Sequence, residues 1–589
     1  LLRIPLSTYA LLTAMVFVAT VRMSDVKKYE TTWDIFGYYL YLPAIFIEGD
    51  PMMNDRSWVE EMNTNERFTE TVYQVAETEQ KEPMYFFLMG MAIFYLPFFL
   101  IGHAIAWMTG SPMDAVSAPY QYSLVAGGVI YTILGLWLFR KILLRFFSER
   151  LTAALLIIVV FGTNYSQHMT YKNLETVNVL FLLMCWLIWS TLRWHEEHKF
   201  RQILQIGVSI TLMALVKPSE VLALLVPLLW SVYSIETLKQ KLRLLFGYRA
   251  QLLKALAICF LIASPQMLYW FVKTGHFFYD SYKNPGIGLD LWHPHLWQVL
   301  FSAKKGWLVY TPVMVLGLIG FYYFLKKNKS AGFGLLIYFC ITFYIISSWT
   351  EWWYGGSFSC RPVITSYPIL ALAMGMFFQH LQSQWARWCA GIFAVLCIAL
   401  NQFQWWQMRN EIIDLFRTTP AYYRAIFLQT EVPYGADTLK SIERSFKLEQ
   451  EWYDRGKYVL IGKTEVIKQP EWSNEEFQCS YRKPYGELTE RDHVWMEIEL
   501  DYEKQDSTFS YGPFVVATAL YKEDSYNYRG PALAEITTDK GNGKFHARYA
   551  YLTPHIRTND DIITTYIWNP GKNKLKITSY TVKIYSRKD

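Results

Sequence analysis

The sequence predicts a polytopic α-helical membrane protein followed by a β-sandwich, and three observations carry that prediction. The first 406 residues hold nearly all of the long apolar runs in a 589-residue chain that is 52% hydrophobic. A helix crosses a bilayer on about 20 mostly apolar residues, so each such run is a candidate span. Beyond Gln407 the runs give way to charges, turns and short alternating stretches, the pattern of strands with one buried face. Finally, the unusual polar residues gather at one end of the candidate spans.

About eleven spans are expected, at roughly 5–21, 118–139, 152–164, 175–192, 203–217, 220–235, 255–272, 307–325, 332–348, 362–380 and 388–406. The first lacks a small-residue cleavage site and reads as a retained anchor. A further apolar run, Met84 to Met108, contains Gly90, Pro97, Gly102 and His103, and its path decides the topology. Basic residues favour cytoplasmic loops. The connections carrying Arg140/Lys141/Arg145/Arg150, Arg193/Lys199/Arg201, Lys239/Lys241/Arg243/Arg249/Lys254 and Lys326/Lys327/Lys329 share a side with Arg3 only if 84–108 does not cross. That run is therefore expected to dip in and return, or to lie along the interface, with the N-terminus inside and the C-terminus outside. Segments 22–117, 164–175, 216–220, 273–306 and 349–361 then meet on the outer face.

The net charge of +6 is scattered, without the Lys/Arg block that nucleic-acid binding needs, and that class of partner is excluded. None of the seven cysteines forms a CxxC pair, so neither a zinc site nor a disulfide framework is indicated; Cys360 and Cys479 are left as a bridge or as two thiols. Residues 1–406 form the membrane domain, 407–448 an amphipathic helical linker, and 449–589 a β-sandwich. Its strands are expected at Tyr458–Ile461, Val494–Leu500, Phe514–Leu520, Ile562–Trp568 and Leu575–Tyr585, with turns at Asn569-Pro570-Gly571 and Lys540-Gly541-Asn542-Gly543.

Asp34 follows the first span and precedes aromatic residues that favour the headgroup level, a placement suited to chemistry on a lipid-borne substrate; the same residue could equally cap a short interfacial helix. Glu175 opens a helix, as a first-turn stabiliser or as a site acid, beside Lys172. Lys217, before Pro218 at the lip of a span, either snorkels or meets an anionic lipid phosphate. Lys304 and Lys305 oppose the positive-inside expectation and together suggest phosphate contact. Glu351, Trp352 and Trp353 precede a Gly-Gly turn and Arg361, whose fork of donors suits phosphate, while aromatic faces suit sugars. Tyr282 completes the set; His103, His168 and His276 read as satisfied polar residues rather than metal ligands.

With these residues in view, the first 406 positions resemble bacterial members of the GT-C glycosyltransferase superfamily, the group of protein O-mannosyltransferases and aminoarabinose transferases. The resemblance rests on the anchor, acid, interfacial-helix order around Asp34, on Lys81-Glu82-Pro83 before an apolar run, and on Trp352-Trp353-Tyr354-Gly355-Gly356-Ser357-Phe358-Ser359-Cys360-Arg361 and Leu300-Phe301-Ser302-Ala303-Lys304-Lys305-Gly306-Trp307. It implies a polyprenyl-phosphate-linked sugar donor, Asp34 as catalytic acid of the first outer loop, and Glu175 near a second acid. Relatives carry an Asp-Glu pair in that loop, whereas Asp34 is followed by Ile35. A divalent metal bound by outer carboxylates is a further possibility the resemblance raises.

Transfer to a hydroxyl or amine needs a base and cations for the leaving phosphate. Asp34 is assigned as base, Arg361 with Lys304, Lys305 or Lys217 as phosphate clamp, and Lys172, Tyr282, Glu351, Trp352 and Trp353 as substrate contacts. The expected setting is a bacterial inner membrane with the site and the β-sandwich facing the periplasm and an envelope lipid, glycan or protein as acceptor. The competing readings are a transporter or flippase of a lipid-linked or envelope substrate, and a structural envelope protein.

Overall fold

The computed structural model describes residues 4–66, 68–69, 72–282, 288–440, 458–491, 493–505, 509 and 511–587. Contacts divide the chain into two compact units, residues 1–283 with 289–415, and residues 284–288 with 416–589. The end of the expected linker and the start of the expected sandwich, at 441–457, lie outside the described residues.

The first unit is helical. In chain order it contains α1 (Leu6–Met23), the short α2 (Asp34–Tyr39) and α3 (Tyr41–Phe46), α4 (Ser57–Glu66), a hairpin of β1 (Val75–Glu77) and β2 (Pro83–Tyr85), and α5 (Gly90–Thr109). There follow α6 (Ala118–Phe146), α7 (Glu149–Phe161), α8 (Tyr165–Thr170), α9 (Thr176–Glu197) and α10 (Phe200–Val216). A 3-10 segment (Pro218–Leu224) leads into α11 (Leu225–Leu229), then α12 (Ile235–Gly247) and α13 (Arg249–Thr274). After α14 (Leu296–Phe301) and α15 (Trp307–Tyr310) come α16 (Val315–Lys327), α17 (Lys329–Ser347), α18 (Tyr367–His380) and α19 (Gln384–Arg409).

Eight helices among the described residues are long and apolar enough to cross a membrane, which makes the chain a multi-pass membrane protein: α1, α5, α6, α9, α13, α17, α18 with the 3-10 turn before it, and α19. Seven coincide with expected spans. The other four expected spans are shorter helices, α7 ending at Phe161 before Gly162 and the other three for identifiable reasons. Pro218 and Pro312 each remove a backbone donor and shorten the neighbouring helix through a 3-10 turn. The 220–235 span ends at Leu229, and Ile235 instead begins α12.

The run 84–108 departs from one of its two expected paths. It forms one continuous helix, α5, with Pro97 inside, and an unbroken helix cannot dip and return, whereas the expected path along the interface is compatible with it. Its start at Gly90 abuts the backbone of Leu215 and Val216, and Gly102 abuts Tyr120 in the first turn of α6. Phe98 covers Gly127, and Tyr131 donates 2.9 Å to the Phe94 carbonyl, so α5 runs antiparallel along the first half of α6.

Among the described residues the second unit holds α20 (Pro420–Ile426) and nine strands: β3 (Tyr458–Ser473), β4 (Phe477–Pro484), β5 (Trp495–Lys504), β6 (Phe514–Tyr521), β7 (Asp524–Arg529), β8 (Thr537–Asp539), β9 (Lys544–Leu552), β10 (Ile562–Trp568) and β11 (Leu575–Arg587). They form a four-stranded sheet, β4-β10-β6-β7, and a five-stranded one, β3-β11-β5-β9-β8. In-register antiparallel pairing places Thr564 opposite Thr518 and Val582 opposite Ile498. Val515, Ile563 and Tyr481 of one sheet share a core with Ile498, Tyr551 and Tyr580 of the other, which is a sandwich. All seven cysteines are free thiols.

Close helix packing in the first unit uses glycine. A Cβ on Gly320 of α16 would lie 2.1 Å from the Ala373 carbonyl oxygen of α18, so the two backbones touch where only hydrogen fits. Gly320→Ala should therefore cost about 1–3 kcal/mol of stability. An unchanged apparent melting temperature in detergent would refute this contact.

Candidate functional site

The site is built on the first turn of α2. Asp34 opens that helix after Trp33, whose φ of 52° and ψ of −125° place a bulky aromatic residue in a strained conformation. One carboxylate oxygen accepts a 2.7 Å hydrogen bond from Tyr73, and the other accepts one of 2.9 Å from Arg361 Nη2. The second arm of the same guanidinium, Nη1, lies 3.1 Å from Glu175 Oε1. One arginine thus bridges two carboxylates contributed by distant parts of the chain.

Glu175 is the N-cap residue of α9 and is buried. Its Oε1 also accepts from Lys172 Nζ at 3.1 Å, and its Oε2 lies 3.1 Å from His168 Nδ1, out of line for a hydrogen bond. His168, expected to be an ordinary satisfied polar residue, is fully buried against this carboxylate with neither ring nitrogen hydrogen-bonded.

Polar side chains set the positions of these groups. Asn178 of α9 donates to the His168 and Lys172 carbonyls. Arg22, at the end of α1, pairs with Glu30 at 2.6 Å and donates 2.8 Å to Asn173, tying the first loop to the residues before Glu175. On the Arg361 side, Asn164 donates to the Phe358 carbonyl and Gln167 accepts from the Phe358 amide, so α8 holds that segment by both backbone groups. The segment also contains Tyr354 and Ser359 at positive φ, 50° and 61°.

The other expected residues divide. Lys305 is buried and donates to the Ser357 carbonyl, behind Arg361. Lys304 stands over the Trp353 ring, 4.8 Å from its centroid. Lys217 stands over the Tyr354 ring at 5.3 Å and, among the described residues, makes no ion pair. Trp353 is buried and packs edge-on to Trp352, while the half-buried Glu351 turns the chain through the Tyr354 amide. Tyr282 packs on Phe86 and Phe87 beside Tyr38 and within electrostatic reach of Asp34. Lys81 and His276 are exposed, and His103 is hydrogen-bonded to Tyr120 within the α5–α6 pair; none of the three reaches Asp34.

Sequence reasoning missed Tyr73 and Tyr38, which nothing marks out among 42 tyrosines. It missed Glu220, buried near Lys217, although an acid three residues after a lip lysine was a readable signal. No cluster of three or more His, Cys, Asp or Glu among the described residues is placed to hold a metal ion. Asp34 and Glu175 turn instead onto a guanidinium, a donor set that does not fit a metal.

Burial alone would raise the Glu175 carboxyl, but Lys172, Arg361 and His168 outweigh it and hold the group well below the usual carboxylate range. Burial lowers His168 despite Glu175, and burial together with Lys304, Lys172 and Arg361 pushes Lys305 well down. Comparison with family models and with curated proteins finds no match to the chain. Its class is therefore defined by what it is built from, a multi-pass helical membrane protein with a β-sandwich unit and a charged, half-buried site at one end of its helices.

These shifts set a pH dependence. A carboxyl held low in the folded state stabilises above its unfolded value and loses that contribution as pH falls through the folded one; a histidine held neutral costs stability once the unfolded chain protonates. Both act in one direction, so stability should fall as pH drops below about 6.5, the ordinary histidine value. Thermal melting against pH should show this decline, and His168→Gln should reduce its upper part, between about pH 6.5 and 5, leaving the share of His295, which burial also lowers.

Proposed function

We propose that the protein is a membrane glycosyltransferase that moves a sugar from a polyprenyl-phosphate donor to an acceptor in the cell envelope. The observation that carries this reading is the pairing of Asp34 with Arg361 at 2.9 Å, inside a group that includes Lys172 and has Lys217 close by. An acid just past a membrane anchor, held by cations at the same level, suits a reaction that needs a base and a clamp for a lipid phosphate.

The acceptor hydroxyl oxygen attacks the anomeric carbon and forms the new glycosidic bond. The bond from that carbon to the phosphate oxygen breaks, and its electron pair leaves with the lipid phosphate. The hydroxyl proton passes to Asp34, so atoms and charge balance without a nucleotide. Arg361 Nη2, Lys172 and Lys217 receive the phosphate; Glu175 keeps Arg361 aimed, and Lys305 supports the Ser357 turn behind it. Once a phosphate draws Nη2 away, Asp34 Oδ2 is available to the acceptor proton while Tyr73 keeps the carboxylate oriented.

The reading takes eleven crossings, with α5 lying along the interface rather than crossing, a bacterial inner membrane, and a site and β-sandwich on the periplasmic side. It is supported by the position of the basic connections: Arg193 and Lys199 lie at the far end of α9 from Glu175.

Purified protein given a polyprenyl-phosphate sugar and an envelope extract should release lipid phosphate. Asp34→Asn should lower that rate by about 10²–10⁴-fold, and Arg361→Gln by about 10²–10³-fold, with both variants still folded by melting. Wild-type release by Asp34→Asn would defeat the base assignment. Movement of the lipid-linked sugar without phosphate release would turn the reading to a transporter.

A further inference from the structure

At the opposite end of the helices lies a feature that sugar transfer does not use. α9 begins beside Glu175 and reaches His195 near its other end, a rise of about 30 Å, the hydrocarbon thickness of a bilayer. There α12 packs against the end of α9 and the starts of α10 and α13. Lys241 of α12 is buried, 2.8 Å from His195 Nε2 and 5.1 Å from the Trp194 ring centroid, and Leu244 and Leu245 pack on the cluster of Trp194, Ile203 and Ala255. Burial pushes the Lys241 ammonium down to about 8. A capping box between Ser234 and Thr237 fixes where the helix begins.

At 100° per residue, α12 divides into three sectors rather than two. Thr237, Lys241 and Leu244 form the sector turned to the protein. A second sector carries Ile235, Leu238, Leu242 and Phe246, which are 76%, 41%, 57% and 68% exposed. The third carries Glu236, Lys239, Gln240 and Arg243, all exposed. Four large apolar side chains on one face would be costly in water. A helix with one face in protein, one apolar and one charged fits a bilayer surface, where all three surroundings meet. α13, which follows directly, exposes Leu253, Leu256, Phe260 and Leu261, the kind of surface that lipid tails cover.

Charge selects which lipid. Lys239 and Arg243 lie four residues apart on adjacent turns, Lys239 at the border of the apolar sector and Arg243 one turn on within the polar sector, both on the side where headgroup phosphates sit. Arg249 follows at the start of α13. Glu236 is the one acid on the helix, a turn before them.

We propose that α12 is an interfacial helix that sinks Ile235, Leu238, Leu242 and Phe246 into the leaflet opposite the Asp34 site and binds anionic phospholipid headgroups through Lys239 and Arg243. The helix stays docked because Lys241 and the leucines anchor it to α9 and α13. The inference is independent of the sugar-transfer reading, since it uses no residue of that site.

The test uses the full chain in phosphatidylcholine nanodiscs, with and without phosphatidylglycerol. With Cys340 and Cys389 replaced by Ser, a fluorophore on Leu242→Cys or Phe246→Cys should be quenched by a nitroxide on the lipid tails and shielded from a water-soluble quencher, and one on Gln240→Cys should behave oppositely. Native mass spectrometry should find phosphatidylglycerol retained over phosphatidylcholine by roughly tenfold, falling to within about twofold in Lys239→Gln/Arg243→Gln. The charge-reversed pair Lys239→Glu/Arg243→Glu should reject phosphatidylglycerol, with melting confirming that both variants fold. Labels at 242 and 246 open to the water-soluble quencher would overturn the interfacial placement. Labels closed to both quenchers would mean that protein covers this face and would overturn it equally. Tail quenching without a phosphatidylglycerol preference would overturn the lipid selectivity.

Discussion

The constraint on which the site depends is the sharing of one guanidinium between two carboxylates of unequal burial. The Glu175 side chain is 8% exposed and that of Asp34 34%. Removing one partner of a buried pair leaves an uncompensated charge and costs several kcal/mol, roughly 3–5, whereas a solvated pair contributes about a kilocalorie or less. The Glu175 arm is therefore the fixed one, with Lys172 added to it. The Asp34 arm, on the more exposed carboxylate, is the weaker of the two. In the proposed sugar-transfer reading it is the arm that a phosphate would exchange, leaving Arg361 held by Glu175.

That arrangement requires irregular backbone at the level of helix ends, and the chain supplies partners for it. Backbone polar groups near a membrane must find partners within the protein. The Phe358 amide and carbonyl find theirs in Gln167 and Asn164, the Ser357 carbonyl in Lys305, and the Glu30 and Thr31 amides in Gln121. Gln121 lies in the first turn of α6, Asn164 and Gln167 at the start of α8, and Lys305 in the turn before α15. They are scaffold, and they explain why α8 consists largely of buried polar side chains.

What the sequence made legible follows from the reach of each signal. Long apolar runs report on their own environment, so seven spans and the β character of the C-terminal part were readable. Shortening at Pro218 and Pro312 is local, yet it was hidden by the apolar residues on either side. β4 and β9 escaped notice because they mix Lys, Arg and His into their exposed positions. Within the site, Asp34, Glu175, Lys172 and Arg361 were visible as charges where lipid should be. Their pairing was not, because contact across 327 positions leaves no periodic trace. Tyr73 illustrates the limit: its hydroxyl on Asp34 is decided by the β1–β2 hairpin beside it, which is three residues a strand and too short to register as alternation.

The backbone around these charges supports a fixed geometry rather than a fortuitous one. Trp33, Tyr354 and Ser359 each hold a positive φ, the first directly before Asp34 and the others in the turn that ends at Arg361. Each such residue costs about 1–3 kcal/mol and persists only where its surroundings over-determine it. Glycine would relieve the strain, and the adjacent Gly355, at φ 66°, takes that conformation freely. Side chains nevertheless stand at the strained positions: Trp33 partly exposed beside the acid, Tyr354 beneath Lys217, and Ser359 with its carbonyl accepting from Ser357. For Tyr354 and Ser359 the gain is visible, a ring under a cation and a closed turn. Positive φ recurs at other non-glycine positions of the chain, His198 and Ser231 among them, so what distinguishes these three is their place: one directly precedes the acid and two lie in the turn that leads to the arginine it pairs with.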